Sequence, residues 1–176
     1  CICKLACAQE PERYELVIHE FFADPSPPRG LPSSEYIEIR NRGIRDISLK
    51  NISLSNGSST GKITSVMTLH PDSLIVLCPS ASLPQFLAFG PAIALSPWPT
   101  LNNEGDTLLL ISPAGNILHA LTWNKTWYKN TLKEEGGWSI EMKDATKPCM
   151  GKENWSASVD PRGGTPGLPN SLQSTI

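Results

Sequence analysis

The segment ELVIHEFFADPSPPRGLPSSEYIEIRN (15–41) most constrains what this chain can fold into, because it joins two alternating runs through a stretch that cannot be helical. Over 15–22 Leu16, Ile18 and Glu20 fall on one side and Val17, His19 and Phe21 on the other. Over 35–41 Ile37 and Ile39 oppose Tyr36, Glu38 and Arg40. A period of two is that of a strand with distinct faces. Between the runs Pro25, Pro27, Pro28 and Pro32 remove backbone donors and bias the preceding residues toward extended geometry. A stiff, polyproline-like crossover between two strands is the expected result.

The same grammar continues downstream. DISLKNISLSN (46–56) alternates and breaks near Asn51, as a strand with a bulge or turn does. KITSVMTL (62–69) and SLIVLC (73–78) read as strands, the second apolar enough to be covered on both faces. DTLLLIS (106–112) and NILHALTW (116–123) form a hairpin about Pro113-Ala114-Gly115-Asn116, and WSIEM (138–142) is a further strand. Residues 82–89 are the one helix candidate, with Ser82 as cap, Pro84 in the first turn and Gly90 as stop. Many short strands with almost no helix predict an all-β antiparallel sandwich. At 176 residues a single domain can bury a sufficient core. The 15 basic residues against 17 acidic ones form no cationic cluster, which argues against a nucleic-acid partner.

Ala6-Cys7-Ala8 before Gln9 has the small-x-small form of a signal-peptidase site, so residues 1–8 are read as the remnant of an export signal. The expected product is exported, to periplasm, cell surface or medium, and no segment approaches the ~20 apolar residues of a membrane span. Removal of 1–8 leaves Cys78 and Cys149, which in an oxidising compartment form either one bridge or two separate thiols, one of them buried.

Several strings taken in order resemble the lamin-tail domain in its bacterial, exported form, over about residues 14–171. They are VIHEFFADPSPPRGLPSSEYIEIRN, WPTLNNEGDTLLL (98–110), TWYKN (126–130), GGWSIE (136–141), NWSAS (154–158) and GGTPGLPNS (163–171). The resemblance implies an immunoglobulin-like β-sandwich without a catalytic centre, with residues 9–13 leading into the domain and 172–176 as a tail. It also implies protein partners in the envelope or outside the cell. His19 departs from the Asn that bacterial relatives carry before the glutamate. Independently of the resemblance, Gly105 before strand 107–111 and Gly136-Gly137 before Trp138 provide tight turns, with Trp138 and Trp155 expected in the core.

Three sets of residues carry possible chemistry. Glu20, Asp24, Glu35 and Glu38 would converge near the crossover if the opening strands pair, and could hold a hard cation such as Ca²⁺. The competing reading has Asp24 capping its turn and Glu20 and Glu38 paired with Arg40, Arg42 or Arg45. Gly57-Ser58-Ser59-Thr60-Gly61 matches a nucleophile-elbow pattern, but the strand-like sequence after Ser59 denies it the helix an elbow needs. Trp98, Trp127 and Tyr128 are candidates for stacking on a sugar ring or anchoring a protein, against the alternative that they cover the sandwich edge. The combination points to a non-catalytic binding module, with a carbohydrate-binding module or an accessory subunit of a secreted hydrolase as the alternative.

Overall fold

The computed structural model describes residues 9–173, and the proposed signal remnant 1–8, with Cys1, Cys3 and Cys7, lies outside the described residues. The strands in chain order are β1 (Leu16–Phe22), β2 (Tyr36–Asn41), β3 (Ile47–Ser48), β4 (Ser53–Ser55), β5 (Thr60–Lys62) and β6 (Thr68–Leu69). They continue with β7 (Leu74–Pro79), β8 (Ala92–Leu95), β9 (Gly105–Ile111), β10 (Ile117–Asn124), β11 (Ile140–Met142) and β12 (Trp155–Ala157). A six-stranded sheet in the order β12-β11-β1-β2-β7-β8 faces a four-stranded sheet in the order β10-β9-β4-β5, with β3 and β6 paired beside them. This is an immunoglobulin-like all-β sandwich. Among the described residues no helix is long and apolar enough to cross a membrane.

The strands expected at 15–22, 35–41, 73–78, 106–112, 116–123 and 138–142 are all present with shifted ends. The break near Asn51 is real, since that residue sits at φ 65° between β3 and β4. Lys62–Leu69 departs from expectation: only its two ends pair, with β4 and β3 respectively. The helix expected over 82–89 shrinks to a 3₁₀ turn followed by α1 (Leu83–Phe86), and the chain then returns to lay β8 parallel to β7. That return through a short helix gives the one parallel pairing among the described residues, in a sheet expected to be antiparallel throughout.

The faces of β1 also differ from a simple alternation. Ile18 pairs with Ile39 and Glu20 with Glu38, so His19 is an extra residue and the strand carries a bulge. The phase therefore changes at His19. Ile18 and Phe21 both reach the space between the sheets, while Glu20 and Phe22 turn to the outer face. Between the sheets Phe21 packs on Trp123 and Trp155, with ring centroids 5.0 and 5.5 Å apart, and Trp127 lies 6.0 Å from Trp155. His119 of β10 ties the layers together. Its Nδ1 accepts from the Ile18 amide at 3.0 Å, which leaves Nε2–H to donate to the Pro148 carbonyl at 3.3 Å.

On the outer face of the six-stranded sheet α1 seats Phe86 on Tyr36, Phe22, Val76 and Cys78. The rest of that face is covered by the chain after Gly163, which explains why every residue of β1 is buried. The domain does not stop at 171: the Leu172 amide donates to Glu141 and the Gln173 side chain meets His19 Nε2 at 3.1 Å.

Candidate functional site

Glu38, Glu20 and Glu141 stand side by side on β2, β1 and β11, since Glu20 is the register partner of both others. All three are fully buried. They face the segment 163–173, which supplies the hydrogen-bond donors that a row of buried acids requires. Glu20 Oε1 accepts from Tyr36 Oη at 2.7 Å, Ser139 Oγ at 2.5 Å and the Thr165 amide at 2.8 Å. Glu38 Oε2 accepts from the Gly167 amide at 2.6 Å. Glu141 accepts from Ser171 Oγ at 2.8 Å and from the Leu172 amide at 3.1 Å. Asn170 adds two donations, to the His19 and Met142 carbonyls at 2.9 and 2.8 Å.

The covering segment can come this close because residue 164 is glycine. A Cβ there would stand 2.5 Å from Tyr36 Oη and 2.8 Å from both Glu20 Oε1 and Ser139 Oγ. Gly136, at φ 100°, has the same role one layer away, where its backbone passes against the crossover at Ser26.

Burial pushes the Glu20 carboxyl well above the usual carboxylate range, and the adjacent Glu38 and Glu141 push it further. Glu38 is raised for the same first reason, with the Gly167 amide and Arg40 opposing and Glu141 adding to it. Proton counting agrees. Thr165 Oγ1 lies 3.2 Å from Glu20 Oε2 and 3.1 Å from Glu141 Oε1, yet a hydroxyl has a single proton. When Thr165 donates to Glu141, the other contact is made by a protonated Glu20 donating to Thr165 Oγ1. Beside the row, burial holds the His19 imidazole down at about 3, so its 3.4 Å contact with Glu38 is a hydrogen bond of a neutral ring rather than an ion pair.

The four acids expected to gather around Ca²⁺ are drawn apart. Glu20 and Glu38 are neighbours in the row, but Asp24 Oδ1 accepts from the Ser26 amide in the crossover turn. Glu35 is half-buried elsewhere, where its Oε2 accepts from Trp98 Nε1 at 2.5 Å and the Leu101 amide at 3.1 Å. Among the described residues no three His, Cys, Asp or Glu side chains are arranged to hold a metal ion. The arginine pairing weighed as the alternative is also not how Glu20 is used, since its partners are hydroxyls and an amide.

The aromatic candidates do not form an exposed platform. Trp127 is 6 % and Tyr128 2 % exposed, both within the core, and Trp98 is half-buried and fixed by Glu35. The reason is local: Asn124 caps a 3₁₀ turn over Lys125–Tyr128 that folds both rings inward. Trp138, expected in the core, is instead half-buried between Arg29 and Lys133, 4.5 and 3.9 Å from its ring centroid. Of the two readings of the cysteines, the structure has the separate thiols. Cys78 is buried beneath α1 with its Sγ on the Ile93 carbonyl, whereas Cys149 is exposed beside Arg13 and Trp155, and both are free thiols. Ser59 lies in the loop between β4 and β5, its amide on Asn56 Oδ1, with strand rather than helix after it.

Glu141, Thr165 and Ser171 were not singled out from sequence. The signal available was Ser139-Ile140-Glu141-Met142, an acid at an outward position of an otherwise apolar strand, and GGTPGLPNS, a donor-rich extended end. Nothing in either string reveals that they meet.

A family model described as Lamin Tail Domain matches residues 9–125, which takes in β1 to β10 and two of the three acids in the row. Among curated proteins none matches the chain. The match spans more than half of the sequence and the sandwich agrees with it, so the chain belongs to the lamin tail domain family.

Proposed function

We propose that this chain is a non-catalytic, exported binding module that docks another protein of the cell envelope or the extracellular space. The observation that carries the reading is the employment of its ionisable groups. Glu20, Glu38 and Glu141 are turned into the sheet face and occupied by Tyr36, Ser139 and the chain from Thr165 to Leu172, so they act as fasteners of the fold. His19 and His119 are neutral and internal, each engaged on both ring nitrogens. What the module offers to solvent is the surface of a rigid sandwich. Export is supported by Ala6-Cys7-Ala8 directly ahead of the point where the family match begins.

The test is capture by the immobilised full chain from envelope and secreted fractions of its own host, with chelator present, followed by titration of the retained protein. A protein bound saturably at fixed stoichiometry supports the module. Retention of no protein, together with retardation of the chain in glycan affinity gels, overturns it in favour of a carbohydrate-binding module. Hydrolytic turnover that disappears in Glu20→Gln overturns it in favour of an enzyme.

A further inference from the structure

β10 is the longest strand lying at an edge of either sheet, eight residues against three in β5, four in β8 and three in β12. Its bonding parity is fixed by the Lys125 amide, which donates to the Glu104 carbonyl, and by the pairing of Trp123 with Asp106 and Leu121 with Leu108. The intervening residues therefore aim their amides and carbonyls away from β9. Leu118 confirms it, because its carbonyl receives the Tyr14 amide from the outer side at 2.8 Å. Beyond that contact the outward backbone groups of Ala120 and Thr122 have no backbone partner among the described residues.

Sandwich edges are ordinarily blunted by proline, by lysine or by a covering loop. At Ala120–Thr122 there is instead a groove of about 350 Å³, with Trp127 and Trp155 among its lining and Arg13 and Cys149 at its margins. The side chains of Ala120 and Thr122 are short enough to let another backbone approach. Arg13 lines the groove and Lys152 follows its lining residue Gly151, and neither has an ion-pair partner among the described residues. The Arg13 guanidinium donates to Tyr14 Oη at 2.9 Å, and Lys152 Nζ donates to Thr126 Oγ1 at 2.9 Å. Glu153, the acid next to Lys152, is taken by Lys129.

We propose that the β10 edge is a strand-addition site for an extended acidic peptide segment of a partner protein, a deepening that rests on the binding-module reading above. The segment pairs its backbone with Ala120 and Thr122, sets an apolar side chain into the groove beside them, and places carboxylates toward Arg13 and Lys152. Main-chain pairing supplies affinity and the flanking charges supply choice of partner.

The probe is a fluorescein-labelled decapeptide of alternating valine and glutamate, titrated into the full chain by anisotropy beside a valine–lysine counterpart. The glutamate peptide is expected to bind saturably and at least tenfold more tightly than the lysine peptide. Arg13→Glu combined with Lys152→Glu is expected to weaken it at least tenfold, and Thr122→Pro, which removes one outward amide, to abolish it. Bound peptide is also expected to slow alkylation of Cys149, read by peptide mapping. Equal binding of the two peptides, no saturation, or an unprotected Cys149 overturns the proposal. So does self-association of the chain that Thr122→Pro dissolves, which would make a second copy the occupant. The charge-reversed variant alters exposed side chains only, so the test survives if the proline variant misfolds. Capture of a host protein that persists in both variants overturns this edge and leaves the module standing, whereas a wild-type chain that captures no protein removes the module itself.

Discussion

Replacing Glu20 separates the two roles of the buried acid row, hydrogen bonding and titration. Glu20→Ala withdraws the acceptor from Tyr36 Oη, Ser139 Oγ and the Thr165 amide together. A buried donor left without a partner costs about 1–3 kcal/mol, and since the two hydroxyls can rotate, roughly 3–6 kcal/mol is expected for the set. That is a large share of the ~5–15 kcal/mol available to a domain, and corresponds to about 10–20 °C in Tm at this size. Glu20→Gln keeps an oxygen for the same three donors and offers an amide to Thr165 Oγ1, so at pH 6.5 its Tm is expected within about 3 °C of wild type. The pH dependence follows from the raised pKa values of Glu20 and Glu38. The folded state keeps protons that the unfolded chain has shed, so their stabilisation is complete below the ordinary value of 4.5 and is lost as pH rises through the raised folded values. His19 and His119, lowered by burial, act oppositely but only below the ordinary 6.5, where the unfolded chain takes up their protons. The clean window is therefore above pH 6.5. Thermal melts by intrinsic fluorescence from pH 6.5 to 8.5 should show wild-type Tm falling and Glu20→Gln falling less, so that the variant overtakes it. A wild-type Tm that rises over this window, or a Glu20→Ala as stable as Glu20→Gln, would refute the reasoning.

Three further outcomes are expected. Gly164→Ala drives a methyl against Tyr36 Oη and Glu20, and should cost about 2 kcal/mol by overpacking and open the end after Gly163 to limited proteolysis, seen as a shortened chain by mass spectrometry. Glu35→Ala orphans Trp98 Nε1 and the Leu101 amide, and should cost about 2 kcal/mol in urea melts with a red-shifted Trp98 emission, while Glu35→Gln retains most of the stability. Under native, non-reducing conditions Cys149 should alkylate rapidly and Cys78 only on unfolding, and peptide maps should contain no Cys78–Cys149 linked species.

Most strands were legible because their alternation reflects the one constraint that every buried sheet face imposes on sequence. The helix was legible only as a place, since Pro84 and Gly90 bracket it but its length is set by docking Phe86 on Tyr36. β8 was hidden within PAIALSP (91–97), its four residues Ala92–Leu95 having a strand state decided by a parallel partner rather than by local pattern. Glu20 and Glu38 stand out in the sequence as candidate cation ligands, whereas the structure occupies them with the donors of the covering segment. The bulge at His19 reverses the phase of β1 in a way a period of two cannot register, and the third acid comes from a strand more than a hundred residues later. The aromatic run at Trp127-Tyr128 looked like a surface because its neighbours are polar, but a single Asn124 cap folds it inward.

A sandwich sheet has an inner face that its partner covers and an outer face that usually meets water, and charged residues on the outer face ordinarily stay solvated. Here the outer face of the six-stranded sheet is closed twice, by α1 over Tyr36 and Phe22 and by residues 163–173 over the glutamates. Closing it with a proline-rich strap instead of a sheet leaves amides and hydroxyls pointing down, and acids are the side chains that can receive several of them at once. The glutamates are thus the counterpart that this strap needs, which is why the row includes Glu141 although the family match ends at residue 125. The same closure leaves few places where a partner's backbone can join the fold. With α1 and the strap over one face and the opposing sheet over the other, the longest edge strand still presents the unpaired backbone of Ala120 and Thr122 beside a groove that another backbone can enter.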